Sequence, residues 1–242
     1  MNIYGELPQS DTVIFAACDE AYFLDHGPSF VYSASDNGFD VHVHIVNPTS
    51  KSYTMLNILN QSTGTSTTFT FNDTPPSARI NKAYYACLRF LVLPTLQKAV
   101  KNILTLDIDC IVMKSFEMPD KPLGLFLREP LPGAGWETEG TRVAAGAVYT
   151  TQASMTFVER VAAELTRAKM QWFVDQFALW KVYRQISDKD NIEQFAPEFL
   201  DWEFHEGTAI WTGKGPRKYD NKKYVKAKID VNRIEDAKHD FW

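Results

Sequence analysis

Cysteine is scarce in this chain of 242 residues: Cys18, Cys87 and Cys110 are all it has. They lie far apart in apolar surroundings, without the even count of a disulfide framework or the close spacing of a zinc site, so a reducing compartment is expected. Long apolar runs are missing too. None reaches the roughly 18 residues of a membrane span, and the first residues lack a basic segment followed by an apolar one. A soluble, cytoplasmic protein is the expectation. Nor is positive charge in excess: 25 Lys+Arg stand against 30 Asp+Glu, a net charge of −5, which leaves no global footprint for nucleic acid. Internal repeats and low-complexity tracts are likewise absent.

What is present is ordinary for a globular protein, with 45% hydrophobic and 23% charged residues in a length that suits one substantial α/β domain. The run from Thr12 to Cys18 predicts a buried strand. A helix carrying Tyr22, Phe23, Phe30 and Val31 follows, expected to break or restart near Gly27-Pro28. Val41 to Val46 alternates as a second strand, and Thr67 to Phe71 is a third. Ser77 to about Leu93 has helical spacing, with Pro94 expected to interrupt it. Leu123 to Leu127 and Arg142 to Thr150 predict further strands. Helices are expected from about Gln152 to Lys169 and from Trp172 to Ile186. Strands alternating with helices imply a mainly parallel sheet covered on both faces, a Rossmann-like α/β class with a C-terminal extension.

The rest is organised around the stretch from Asn102 to Val112. If Ile103 to Leu106 is a buried strand, Asp107 and Asp109 emerge at its carboxyl end. Residues two apart on an extended chain point to the same side, so the carboxylates would converge. Paired anions call for a cation, and oxygen ligands suit Mg2+ or Mn2+. Ligands of open α/β sheets collect at this end of the strands, so the pair suggests a metal clamp for a diphosphate. A solvated turn or a helix cap is the structural alternative.

Six segments in order resemble the GT-A glycosyltransferases, in particular the retaining family of glycogenin and the bacterial lipopolysaccharide galactosyltransferases. Ala16-Ala17-Cys18-Asp19-Glu20-Ala21-Tyr22 is similar to that family's first strand and uridine-binding turn. Tyr84-Tyr85-Ala86-Cys87-Leu88-Arg89-Phe90 is similar to its helix with an arginine for the donor site. Leu106-Asp107-Ile108-Asp109 follows at the expected spacing. Val143-Ala144-Ala145-Gly146-Ala147 resembles its small-residue strand beside the donor sugar. Phe173-Val174-Asp175-Gln176-Phe177-Ala178-Leu179 resembles its Asp-Gln helix, and Trp211-Thr212-Gly213-Lys214-Gly215-Pro216 its Gly-Lys loop. The sequence departs at two positions. Ile210 stands where the family has a histidine as third metal ligand, and Ala144 where it has an asparagine. The resemblance implies a GT-A fold, with a nucleotide-binding half to about residue 115 and an acceptor half beyond. It also implies a UDP-hexose donor (glucose or galactose), a Mn2+ or Mg2+ ion, a saccharide or other hydroxyl acceptor, and retention at the transferred carbon.

The individual residues carry chemistry of matching kind. Asp109 is expected as the direct metal ligand, with Asp107 reaching the metal or the ribose. Lys214 on its glycine-flanked loop could cover the diphosphate, Gly213 and Gly215 allowing close approach. Arg217 and Lys218 could contribute; alternatively Lys214, Arg217, Lys218, Lys222, Lys223, Lys226 and Lys228 form a solvated basic face. Asp19 and Tyr22 could meet a uracil ring, by hydrogen bond and by stacking, or else cap a helix and sit in the core. Arg89, on an apolar helix face, needs an anionic partner, either an aspartate or the donor. Through the resemblance, Ala17 joins the nucleotide site. Asp175 and Gln176 fall near the anomeric carbon on the same ground, with the Gln176 amide steadying an oxocarbenium-like centre. His42 and His44 are expected as strand residues. His205 and His239 are candidates to replace the missing ligand, and Trp202, Trp211, Phe241 and Trp242 are either acceptor platform or core. Inverting transfer, nucleotidyl transfer and nucleotide-sugar binding without catalysis are the rival readings.

Overall fold

The computed structural model describes residues 2–74, 82–129, 140–213 and 215–232. After a two-residue strand β1 (Tyr4–Gly5), the apolar run predicted from sequence forms β2 (Thr12–Asp19) at the centre of the fold. Its successive residues serve opposite faces. Ile14, Ala16 and Cys18 pack with Phe23, Phe30 and Val31 of α1 (Glu20–Asp36), whereas Val13, Phe15 and Ala17 pack with Leu88, Val92 and Leu93 of α3 (Lys82–Ala99). A strand buried on both sides reads as a continuous apolar run, which is why this one carries no polar alternation.

The chain first builds outward on one side of β2. Strand β3 (Val41–Val46), helix α2 (Ser50–Ser62) and strand β4 (Thr67–Asn72) follow, with parallel pairing from β2 to β3 to β4. Helix α3 then carries it back across the sheet to β5 (Asn102–Leu106), parallel to β2 on the other side. The strands β6 (Cys110–Val112), β7 (Leu123–Leu127) and β8 (Val143–Thr151) come next, then α4 (Met155–Arg167), α5 (Val174–Arg184) and β9 (Ile192–Gln194). The eight-stranded order is β1-β4-β3-β2-β5-β8-β7-β9. The strand order reverses between β2 and β5, and the carboxyl ends of those strands flank the crevice where ligands of open sheets bind. A small second sheet joins β10 (Leu200–Asp201) and β11 (Ile210–Thr212) to β6. Helices α6 (Arg217–Asp220) and α7 (Lys222–Val231) close the described chain and lie against α1, where Lys228 Nζ pairs with Asp25 at 2.5 Å.

Two expected helix breaks are corrected. Helix α1 runs through Pro28 and α3 through Pro94. Buried residues on both sides of each proline (Phe23 and Phe30, Phe90 and Leu96) dock the flanking turns on the sheet, and that packing outweighs the lost backbone bond. Gly27 is needed for a different reason: a Cβ there would lie 2.4 Å from the Phe23 ring. The expected helix from Trp172 instead begins at Val174, because Phe173 has φ +70° and cannot join a right-handed helix. Ser77, the expected start of α3, lies outside the described residues, as do His239, Phe241 and Trp242.

His42 and His44 are fully buried strand residues. His42 bonds Thr68 and Thr70 at 2.9 Å each, and His44 bonds Thr70 at 2.9 Å and Asn72 at 2.7 Å, so all four ring nitrogens have partners. Burial, with His44 adding a little, holds the His42 pKa down at about 3. Burial also lowers His44 to about 4, against the opposing bond from Asn72. Unfolded, both rings titrate near about 6.5, so below that pH the unfolded chain binds more protons. Stability that is complete above pH ~6.5 is therefore lost as pH falls toward 4, by about 1.4 kcal/mol per pH unit for each ring. Urea unfolding midpoints are expected to decline from pH 6.5 to 5, and the decline should be shallower in His42→Gln; parallel pH profiles would reject this account.

Candidate active site

The site forms where β2 and β5 end. Asp19, the last residue of β2, caps α1 by accepting from Tyr22 N at 2.8 Å. Beyond β5 the Asp-x-Asp segment leaves the sheet in a turn, in which Cys110 N donates to Asp107 O at 3.0 Å. The segment is therefore not the extended strand expected from sequence. Ile108 between the carboxylates is buried, and Asp107 and Asp109 reach different cations. Asp107 Oδ1 pairs with Arg89 Nη1 at 2.6 Å, and Asp109 Oδ2 with Lys218 Nζ at 2.5 Å.

Arg89 is the hinge of the arrangement. It projects from α3, buried, and its Nη2 also donates to Asp175 Oδ2 at 3.2 Å and to Ala145 O at 3.0 Å. Burial pulls against the charged guanidinium, but Asp107 and Asp175 outweigh it and leave the Arg89 pKa raised. Burial dominates at the two innermost acids. It raises the pKa of Asp109, with Asp107 adding to the rise, and raises that of Asp175 although Arg89 opposes it. Asp175 Oδ1 accepts from the Gln176 backbone N–H at 2.8 Å. The Gln176 side-chain oxygen accepts from Arg128, which also donates to Thr141 O. Asp107, Arg128, Ala144, Gln176, Trp202 and Gly213 are among the residues around a cavity of about 120 Å³.

On the opposite side of Asp109, Tyr22 donates to Oδ2 at 3.0 Å and accepts from Lys218. Tyr22 is thus neither core nor free at the surface. Burial, then Asp109, raises its pKa. Lys218 enters beside Gly213, where a Cβ would lie 2.5 Å from Lys218 Cδ and 3.0 Å from Asp109 Oδ2. Tyr224 of α7 donates to the Asp109 carbonyl at 2.6 Å and ties the C-terminal helices to the same turn.

Most of the expected residues therefore meet: Asp107, Asp109, Arg89, Asp175, Gln176, Tyr22 and Gly213. Ala17 packs into the α3 face of the core, and Lys214 lies outside the described residues. Residues 130–139 lie outside them as well. Ile210 is fully buried and pairs with Val112 in the small sheet. His205 bonds Asp201 at 2.9 Å with its side chain 74% exposed. Trp202 lines the cavity, while Trp211 packs with Phe204 in the small core. Sequence reasoning missed Arg128, whose only signal was its place at the end of an apolar strand. It left Lys218 among six other basic residues, yet Lys218 is just 2% exposed.

No family model matches the chain, and no curated protein does. Solved structures do. The apo structure of the bifunctional glycosyltransferase WbbM superimposes with a TM-score of 0.62 at 13% identity, over 94% of this chain and 50% of that one. The glycosyltransferase GlyE of Streptococcus pneumoniae TIGR4 gives a TM-score of 0.57 at 12% identity, over 94% of this chain and 64% of that one. Its apo form gives 0.59 at 12%, over 97% and 64%. The chain has a glycosyltransferase fold. It spans half the length of WbbM and under two thirds of GlyE.

The metal expected between Asp107 and Asp109 can be set against this donor set. Each carboxylate already holds a basic side chain on one oxygen. Asp109 Oδ1 is buried without a hydrogen-bond partner among the described residues, and Asp107 Oδ2 stands beside Gly146. One open oxygen from each acid matches the one or two carboxylates by which a protein holds Mg2+ beside substrate phosphates and water. The position of the third ligand is apolar Ile210, and no cluster of three His, Cys, Asp or Glu occurs among the described residues.

Arg89 should be indispensable to the fold of the site. Arg89→Met strands Asp175 in the interior, and breaking a buried pair of this kind costs about 3–5 kcal/mol. The melting temperature is expected to drop by about 6–20 °C, measured by circular dichroism. A change of under about 2 °C would mean that the two acids need no common cation.

Proposed function

We propose that the chain transfers a hexose from a UDP-sugar, UDP-glucose or UDP-galactose, to a hydroxyl acceptor, with retention. The observation that carries this is the Arg89 bridge. It joins Asp107, which lines the cavity at the mouth of the switch point, to Asp175, whose neighbour Gln176 lines the same cavity. The glycosyltransferase fold supports the same reading.

In the reaction, the bond from the anomeric carbon to the β-phosphate oxygen breaks, and its electron pair leaves with UDP. The acceptor oxygen bonds to the anomeric carbon from the same face and gives its proton to the departing phosphate. Positive charge on the sugar ring peaks between these events, and a preorganised dipole is the inexpensive way to meet it. Gln176 suits that role, because Arg128 fixes its side-chain oxygen and Asp175 holds its backbone. Asp175 positions and does not attack: Arg89 occupies one of its oxygens and Gln176 N the other. Trp202 offers a ring for the apolar face of a sugar. Tyr22 and Asp19 stand at the carboxyl end of β2, where a uracil base would lie.

The test is release of nucleoside diphosphate from a panel of nucleotide sugars, with the linkage of any product read by NMR. UDP release from a hexose donor and an α-linked product from an α-linked donor are expected. Gln176→Ala should lower kcat by about 10²-fold or more with little change in KM, as for loss of one transition-state dipole. Release of pyrophosphate instead of UDP would replace this reading with nucleotidyl transfer, and a β-linked product would end the claim of retention.

A further inference from the structure

We propose that Arg128 receives a carboxylate of the acceptor, so that the hexose is transferred to an acidic saccharide carrying a hexuronic acid. This names the acceptor class within the UDP-sugar reading above and rests on that reading.

The sheet puts Arg128 at the sugar end of the site. Strand β8 is antiparallel to both β5 and β7, so those two run parallel, and Asp107 and Arg128 follow their carboxyl ends on one edge. Along that edge come the nucleotide ends of β2 and β5, then β8, then β7 with Arg128. Arg128 touches Gln176, the residue read at the reacting carbon, so it follows that carbon and not the diphosphate. Its position is fixed. Arg128 N donates to Arg142 O at 2.7 Å, and Arg142 Nε donates to Arg128 O at 3.2 Å. The Arg142 guanidinium is itself held 4.9 Å from the centre of the Trp180 ring. Phe126 pairs with Ala144 across the hairpin, and Arg128, two residues further on, shares that face. The short side chain of Ala144 leaves room for it in the cavity that both line.

Among the described residues no acid claims the Arg128 charge. Arg89 already serves Asp107 and Asp175, and both oxygens of Asp175 are taken. Arg128 bonds only neutral oxygens, the Gln176 side chain and the Thr141 carbonyl, and both bonds come from Nη2. Burial pushes its pKa down, with Asp175 opposing through space. A neutral amide would hold Gln176 as well and cost less to bury. Nη1 and Nε make no hydrogen bond among the described residues, which leaves three N–H groups of a planar fork that matches a carboxylate. Trp202 lines the same cavity and packs edge-on against Phe126, with 5.6 Å between ring centres. A pyranose lying on the indole would turn its acidic edge to Arg128. The carboxylate is unchanged in the reaction: a hydroxyl of the acceptor forms the new bond, and the carboxylate orients it.

Two pairs of acceptors test this, methyl glucuronide against methyl glucoside and methyl galacturonide against methyl galactoside. Binding of each to the full chain is titrated by NMR with UDP present, and UDP release from UDP-glucose and UDP-galactose is followed with each as acceptor. In at least one pair the uronide should bind about 10–100-fold more tightly than its neutral partner, the effect of one charge-assisted contact, and high salt should narrow the gap. In Arg128→Gln the ratio should fall to within about threefold, less than one ordinary hydrogen bond. The ratio is the readout because Arg128 also holds Gln176, and both members of a pair share any general loss. Arg128→Lys keeps the charge without the fork and should fall between, with circular dichroism as the check on folding. Equal binding within both pairs, or no binding of any uronide, would overturn the acceptor assignment and leave the donor reading standing. A uronide preference that persists in folded Arg128→Gln would overturn the role of this residue. UDP release from UDP-glucuronate or UDP-galacturonate in place of the neutral donors would move the carboxylate to the donor and overturn it as well. If no nucleotide sugar releases UDP, the transferase reading fails and this inference with it.

Discussion

A guanidinium buried between two carboxylates is the constraint on which this structure turns. Arg89 cannot lose its proton and cannot return to water, so the fold must bring anions to it. One comes from the turn after β5 and the other from the first turn of α5. These elements are far apart in sequence, and the shared cation sets the distance between them. Asp175 near the N-terminus of α5 is also favoured by that helix's own dipole. The cavity beside Asp107 is thus framed by charge as much as by shape, with Gln176 and Arg128 on its wall.

The sheet explains why this happens where it does. Strands β3 and β4 lie on one side of β2, and β5, β8 and β7 on the other. The two halves diverge at the carboxyl ends of β2 and β5 and leave a gap that neither fills. Residues at strand ends can be polar without disturbing the two apolar layers beneath. Asp19 and Asp107 exploit that freedom, while Val13 to Cys18 and Ile103 to Leu106 hold the ground below them. The small β6–β10–β11 sheet then covers the gap from the far side, with Thr212 and Gly213 at its rim.

Much of this was legible in the sequence, because it is written in local pattern. An apolar run ending in Asp-x-Asp, an arginine on an apolar helix face and an Asp-Gln pair opening a helix each announce themselves within a few residues. What stayed hidden depends on tertiary contact. Pro28 and Pro94 look like helix breakers until the buried turns around them are counted. Phe173 looks helical until its backbone is seen to be left-handed. Lys218 sits in a run of basic residues where spacing cannot say which one turns inward. That choice is made by the missing Cβ of Gly213 and by Tyr22, a residue 196 positions away. Ile210 was noted as the wrong residue for a metal ligand. That it serves instead as core for the small sheet follows only from its pairing with Val112.

The partner of Asp109 has a consequence for how the protein comes into being. Asp109 and Lys218 are 109 residues apart, and Lys218 belongs to almost the last described helix. During synthesis the strands β2 to β5 can pair and bury their apolar faces well before that helix leaves the ribosome, since domains tend to organise from the N-terminus as the chain emerges. Until it docks, a carboxylate at the heart of the site has no counter-charge and faces water. Completion of the site therefore waits on the docking of that helix, and the nascent protein holds its scaffold before it holds its chemistry.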